Sequence, residues 1–258
     1  MFVLEIDSAA ADTDRLIAEL WERGTTGVIE EDLPGGRCLL RAFFEQPFDV
    51  AGWTAARWIP ADQRDWVAEA QSQWEPLLVG ERFFLVPSWR GDPAPPGRLR
   101  LEMQPGQACG TGWHPATRLA LEALERWLRP GMTVLDLGTG SGILAVAASL
   151  LGAGRVLACD IDPGVAPVAR DRFRRDGVPA ALFVGSIRSI RPGSLDLLVA
   201  NIHAEALVSL AGEIQAALQP AGIAVLSGFP ARHLERVRAA FPPARDRLRL
   251  GDWTALIC

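Results

Sequence analysis

Residues Val134-Leu135-Asp136-Leu137-Gly138-Thr139-Gly140-Ser141-Gly142 constrain the fold of this chain more than any other stretch. The apolar run reads as a buried strand that stops at Asp136. The glycines then allow a tight turn whose backbone can come close to a ligand, and a helix begins near Ser141. The spacing is Gly-x-Gly-x-Gly, whereas a dinucleotide site uses Gly-x-Gly-x-x-Gly with a pyrophosphate on the helix N-terminus. A dinucleotide oxidoreductase is therefore disfavoured. The plain alternative is a strand-to-helix turn that binds nothing.

The next segment argues against that alternative. Arg155-Val156-Leu157-Ala158-Cys159 looks like a second strand, ends at Asp160, and leads through Asp162-Pro163 into a helix. A carboxylate about twenty positions past a glycine turn is where a doubly wound sheet meets ribose hydroxyls. Asp160 is read as the ligand residue and Asp162 as the cap of the following helix. A glycine turn of this spacing behind an acidic residue is the arrangement of S-adenosylmethionine sites, so that cofactor is expected.

Downstream of Pro105 strands and helices alternate. Thr133–Asp136, Arg155–Asp160, Ala181–Val184, Leu195–Asn201 and Ile223–Ser227 read as strands, and the C-terminal stretch from Arg247 to Cys258 as a hairpin. This predicts an α/β fold, a mostly parallel Rossmann-like sheet with helices on both faces and an antiparallel hairpin at its C-terminal edge. The first sixty residues form a separate α+β pattern: strands at Phe2–Ile6, Gly27–Ile29, Arg37–Phe43 and Arg57–Ile59, a helix at Thr13–Arg23, and a short helical piece near Val50–Thr54. That order, βαββαβ, is ferredoxin-like. Asp62–Glu75 carries Trp66, Ala70 and Trp74 at four-residue steps and is the candidate linker helix. The expected domains are 1–61, a linker over 62–80, and 81–258.

Composition narrows the function. Of 258 residues 49% are hydrophobic and 22% charged, and the net charge is −5. The basic residues are all Arg, which removes the Lys-dependent phosphate loop, and no Gly-x-Ser-x-Gly elbow is present. Negative net charge gives no overall case for nucleic acid and favours a basic protein partner. The four cysteines lie far apart, which argues against a zinc site and a disulfide framework, so no metal is expected. With no signal peptide and no apolar run of spanning length, a soluble, cytoplasmic monomer is expected, away from membranes.

Two further places carry candidate chemistry. A second glycine-rich loop, Pro105 to Thr117, reads as a ligand-covering loop that enters a helix at Pro115. Within it Trp113 and His114 are candidate substrate contacts; His114 could equally brace the loop. Thr117 can serve the ligand or cap its own helix. The strand Leu195–Asn201 ends in an amide, at the carboxyl end of a strand where ligands of open sheets bind. Asn201 could accept a hydrogen bond from an incoming amine and aim its lone pair at a methyl donor, or simply form a turn. His203 is a helix-start residue or a proton acceptor.

Together these segments resemble the ribosomal protein L-eleven methyltransferase family (PrmA-type). The resemblance rests on Val86-Pro87-Ser88-Trp89, on Gly110-Thr111-Gly112-x-His114-Pro115-x-Thr117, on Leu135 to Ala145, on Asp160-Ile161-Asp162-Pro163, on Val199-Ala200-Asn201-Ile202 and on Leu226-Ser227-Gly228. It implies a class I methyltransferase domain and a ferredoxin-like N-terminal domain that captures a large-subunit ribosomal protein. It also implies methyl transfer from S-adenosylmethionine to amino groups of that protein, on Lys side chains or the N-terminus. Thr117, Gly138, Asp160 and Asn201 are the implied cofactor-site residues, with Asp136 and Gly140 beside them, and Asn201 faces the amine. The chain departs from the family pattern at Cys109, Trp113, Ala116, His203 and Ser186, and in the Arg-rich stretch Asp171–Asp176, where Asn residues are usual. Other readings are a methyltransferase with another protein or a small molecule as substrate, or a ribosome-associated protein that binds the cofactor without catalysis.

Overall fold

The structure, a computed structural model, describes residues 2–9, 12–50, 53, 55–60, 74–103, 113–241 and 243–258. The chain divides into two compact units, Met1–Trp74 and Glu75–Cys258. The expected linker helix falls almost entirely outside the described residues, as do Cys109 and most of the second glycine-rich loop.

In the first unit β1 (Phe2–Ala9), β2 (Gly27–Leu33), β3 (Arg37–Phe44) and β4 (Ala56–Pro60) form an antiparallel sheet in the order β2-β3-β1-β4. Alternation divides its faces. Leu4, Ile6, Leu40, Ala42 and Phe44 point to one side and pack with Leu16, Ile17 and Leu20 of α1 (Thr13–Glu22). On the other side a charge ladder crosses all four strands, Arg57 to Glu5 to Arg41 to Glu31. The Arg57 guanidinium, followed by Arg41, holds the Glu5 carboxyl below the usual glutamate range despite its burial. The strand order and the β1-α1-β2 crossover are those of a ferredoxin-like unit. Between β3 and β4 the described residues carry no helix, and 51, 52 and 54 of the expected helical piece lie outside them.

The second unit opens with a small sheet absent from the sequence reading. β5 (Leu77–Val79) runs antiparallel to β6 (Phe83–Pro87), which runs parallel to β7 (Leu99–Met103). The main sheet has seven strands in the order β10-β9-β8-β11-β12-β14-β13. They are β8 (Thr133–Leu137), β9 (Arg155–Asp160), β10 (Ala180–Val184), β11 (Leu195–Asn201), β12 (Leu218–Pro230), β13 (Asp246–Leu250) and β14 (Trp253–Ile257). The first five are parallel, and β14 pairs antiparallel with both its neighbours. The helices are α2 (Pro115–Trp127), α3 (Ile143–Leu150), α4 (Val165–Arg175), α5 (Ala204–Ser209), α6 (Ala211–Ala217) and α7 (Leu234–Ala240). One apolar layer lies under α2, α3 and α4; the other lies under α5, α6 and α7.

The chain winds outward from β8 through β9 to β10, then returns to the other side of β8 with β11. The order therefore reverses between β8 and β11, a switch point at whose carboxyl ends open α/β sheets hold their ligand crevice.

Candidate active site

At the end of β8 the chain turns through Gly138, Gly140 and Gly142, all at positive φ. Gly138 has no room for a side chain, since a Cβ there would lie 2.5 Å from Ile202 Cγ2. The backbone N–H groups of Gly138 and Thr139 both donate to the Cys159 carbonyl at 2.9 Å, which ties the turn to the end of β9. Asp136, fully buried, anchors it from behind: one carboxylate oxygen accepts from Thr139 Oγ1 at 2.7 Å and from Ala145 N, in α3, at 3.0 Å. The other oxygen has no hydrogen-bond partner among the described residues. Burial pushes the Asp136 pKa up to about 7, the two hydrogen bonds oppose the shift, and the charge of Asp160 adds to it.

Asp160 sits half-buried at the carboxyl end of β9. It accepts from Gly140 N at 3.0 Å and from Asp162 N at 3.1 Å, so the carboxylate is fixed against the glycine turn. Asp162 in turn accepts from Gly164 N at 2.8 Å and closes the bend before α4. Between them Ile161 is 78% exposed, an apolar side chain left bare at the crevice.

The opposite wall comes from β11, β12 and α2. Asn201 ends β11 and donates from Nδ2 to Thr117 Oγ1 at 3.1 Å. Thr117 is buried in the first turn of α2. That turn is fixed twice. His114 Nδ1 accepts from Ala116 N at 3.2 Å as the helix cap, with Pro115 starting the helix, and Ser227 Oγ, in β12 opposite Asn201, donates to the Ala116 carbonyl at 2.8 Å. Gly228, at φ +93°, lets β12 pass against Ile202, whose backbone a Cβ would overlap. Ile202 is thus gripped between Gly138 and Gly228.

The structure brings Asp136, Gly138, Gly140, Asp160, Thr117 and Asn201 to one end of the main sheet. Trp113 and His114 have structural contacts there: Trp113 packs half-buried on the apolar layer under α2, and the His114 ring meets Trp253 edge-on at 4.2 Å. Partial burial lowers the His114 pKa. His203 begins α5 without capping it through its side chain. Ser227, Gly228, Ile202 and Ile161 received no role from the sequence. For Ile161 a signal existed, an apolar residue between two acids directly after a strand. Among the described residues no group of three His, Cys, Asp or Glu side chains could hold a metal ion, and no helix is long and apolar enough to cross a membrane.

Comparison with known proteins shows the family of the chain. The family described as "Ribosomal protein L11 methyltransferase (PrmA)" matches residues 46–257. A curated relative named ribosomal protein L11 methyltransferase from Cupriavidus taiwanensis is 45% identical over 182 residues, 70% of this chain and 60% of the relative. Another of that name, from Ralstonia nicotianae, is 42% identical over 195 residues, 75% of this chain and 63% of the relative. The chain thus spans about three-fifths of the length of these relatives. A crystal structure titled ribosomal protein L11 methylase from Lactobacillus delbrueckii subsp. bulgaricus superposes with a TM-score of 0.66 at 32% identity, covering 71% of this chain and 97% of that one. A methyltransferase from Pyrococcus furiosus shares the fold, with a TM-score of 0.52 at 22% identity, over 61% of this chain and 87% of that one. The fold is that of a class I methyltransferase, and by the family match and these relatives the chain belongs to the ribosomal protein L11 methyltransferase family.

Proposed function

We propose that the chain transfers methyl groups from S-adenosylmethionine to amino groups of ribosomal protein L11. Family membership supports the substrate class, and one observation carries the chemistry: the Asn201 amide, tied to Thr117 at its nitrogen, stands at the end of β11 beside the glycine turn.

The residues present fit the cofactor. The turn at positive φ through Gly138 and Gly140 leaves backbone without side chains for close approach, and Asp160 offers a carboxylate at the crevice edge for hydroxyl groups. Ile161 offers an exposed apolar surface for a ring. The uncompensated oxygen of buried Asp136 favours a ligand that carries positive charge. When bound, S-adenosylmethionine supplies an electrophilic methyl group on a sulfonium.

The chain's task is positioning. In-line displacement needs nucleophile and methyl carbon held at about 3–3.5 Å with orbitals aligned. Because Asn201 Nδ2 is engaged by Thr117, its carbonyl oxygen is the end left to accept an amine N–H. An amine held by that acceptor and nearby backbone carbonyls keeps its lone pair turned toward the methyl group. A Lys amine has an ordinary pKa near 10.4 and must arrive neutral; a dry site lowers that value. No dedicated base is required. Trp113 and His114 shape the entrance, the N-terminal unit captures the protein substrate, and the enzyme works as a cytoplasmic monomer.

The test is the Asn201→Ala variant with unmodified L11 as acceptor. Turnover should fall about 10²- to 10³-fold, as for loss of a group that orients the reacting atoms, while cofactor affinity measured by calorimetry falls much less. Equal losses in both would make Asn201 a cofactor ligand only.

A further inference from the structure

The edge strand β13 and the residue just before it carry a row of like charges. Arg245, Arg247 and Arg249 alternate with Asp246, Leu248 and Leu250, and the three arginines are exposed while Leu248 is buried. Register explains the division. Leu248 lies opposite Ala255 and belongs to the apolar layer under α2. Arg247 lies opposite Leu256, whose side chain belongs to the layer under α7. The arginine row therefore runs along the α7 side of the sheet edge, with successive members about 6.8 Å apart, two residues of an antiparallel strand.

Arg238 on α7 faces the same place. Between helix and strand lies a cleft of about 240 Å³ with Leu234, Ala244 and Leu256 as its floor and Arg238, Arg245 and Arg247 around it. The one acid lining it, Asp246, is already engaged: it accepts from Arg247 N at 2.7 Å and pairs with Arg126 at 3.8 Å. Elsewhere the molecule neutralises many of its arginines, as in Arg90 with Asp92, Arg188 with Glu213 and Arg236 with Glu205. Here, among the described residues, Arg238 and Arg247 meet no carboxylate, and Arg245 and Arg249 donate only to the carbonyls of Gly222 and Gly251.

We infer that this rim binds the phosphodiester backbone of an RNA strand. A guanidinium forks onto phosphate oxygens bidentately. A row of them at regular spacing suits a polymer with one charge on every backbone unit, and the apolar floor accepts a ribose or base face between the contacts. An acidic peptide carries its charges at the ends of flexible side chains rather than on every backbone unit, so it matches a regularly spaced row less closely. The positive rim stands against a net charge of −5, so the attraction is local rather than a property of the whole chain. The strand is three places from β11 in the sheet, so the rim is separate from the crevice at Asn201. Binding there does not depend on methyl transfer and is measured without it.

The test follows binding of a fluorescently labelled, mixed-sequence single-stranded RNA by anisotropy at several salt concentrations. Each phosphate contact contributes a slope of about −0.7 to the log–log salt dependence, so four arginines predict a slope of roughly −2 to −3. Arg238→Glu with Arg247→Glu should weaken binding by more than about 10-fold, and Arg238→Ala with Arg247→Ala should flatten the slope by about 1.4. Melting curves check that each variant folds. The control pair Arg174→Glu and Arg188→Glu, at exposed arginines outside the rim, should bind as the parent does. No RNA binding at low salt, equal weakening by the control pair, or equally tight binding of polyglutamate would overturn the inference.

Discussion

Asn201 Nδ2 and Thr117 Oγ1 lie 3.1 Å apart although 84 residues separate them in sequence. The bond joins the end of β11 to the first turn of α2 and orients the Asn201 amide, which under the proposed function turns its carbonyl oxygen to an incoming amine. Thr117→Val keeps the shape of the buried side chain and removes the hydroxyl, leaving Asn201 free to rotate. Turnover should fall about tenfold or more, with a loss of stability near 1 kcal/mol for the hydrogen bond. Steady-state kinetics and urea unfolding check both. Unchanged turnover would detach Thr117 from the chemistry.

Gly138 adopts φ +74° and faces Ile202 Cγ2. Gly138→Ala adds strain of the order of 1–3 kcal/mol and pushes Ile202 or the turn aside. Calorimetric titration should show cofactor affinity reduced at least tenfold, in a protein whose circular dichroism remains that of the parent.

The Asp136 carboxyl has a folded pKa of about 7 against an ordinary value of 3.8, because burial disfavours its charge. The folded state therefore holds a proton that the unfolded state has released between these values. Stability without cofactor falls as pH rises from about 4 to 7 and levels off above. Asp136→Asn should remove that slope and gain stability at neutral pH, by a few kcal/mol at most on an order-of-magnitude basis. Thermal melts of both proteins across this range are the check, and parallel profiles would refute the assignment.

Arg172 in α4 is 2% exposed, and it pairs with Asp176 at 3.3 Å and donates to the Glu102 carbonyl at the end of β7. Burial draws its pKa down to about 10. Removing Asp176 takes away the first of its two counter-charges and leaves the buried cation with the Glu102 carboxylate alone, so Asp176→Ala should cost about 3 kcal/mol in urea unfolding. A loss under 1 kcal/mol would show that Glu102, through its carbonyl and its carboxylate, suffices for the guanidinium.

The Rossmann-like sheet was legible because its strands are short apolar runs that end in residues with reason to stop: Asp136 before a glycine turn, Asp160 before Asp162-Pro163, Asn201 before a helix. The small sheet β5-β6-β7 was not. Leu77–Val79 is too short to show a period, and Phe83-Phe84-Leu85-Val86 is a continuous apolar run whose periodicity does not separate strand from helix. Strand β12 extends from Leu218 to Pro230, beyond the Ile223–Ser227 core that its apolar residues mark, because its first residue pairs with Leu195 across polar and glycine positions. In the site, single residues at strand ends stood out, whereas their partners did not. Nothing in the sequence links Asn201 to Thr117 or Ser227 to Ala116, and the need for glycine at 228 exists only because Ile202 passes beside it.

The most direct measurement is incubation of the purified chain with methyl-labelled S-adenosylmethionine and unmodified ribosomal protein L11 from the same host, with label followed into protein and located by peptide mass analysis. Incorporation at Lys side chains or the N-terminal amine, lost in Asn201→Ala, is the expected result. Cofactor binding without any label in L11 would contradict it.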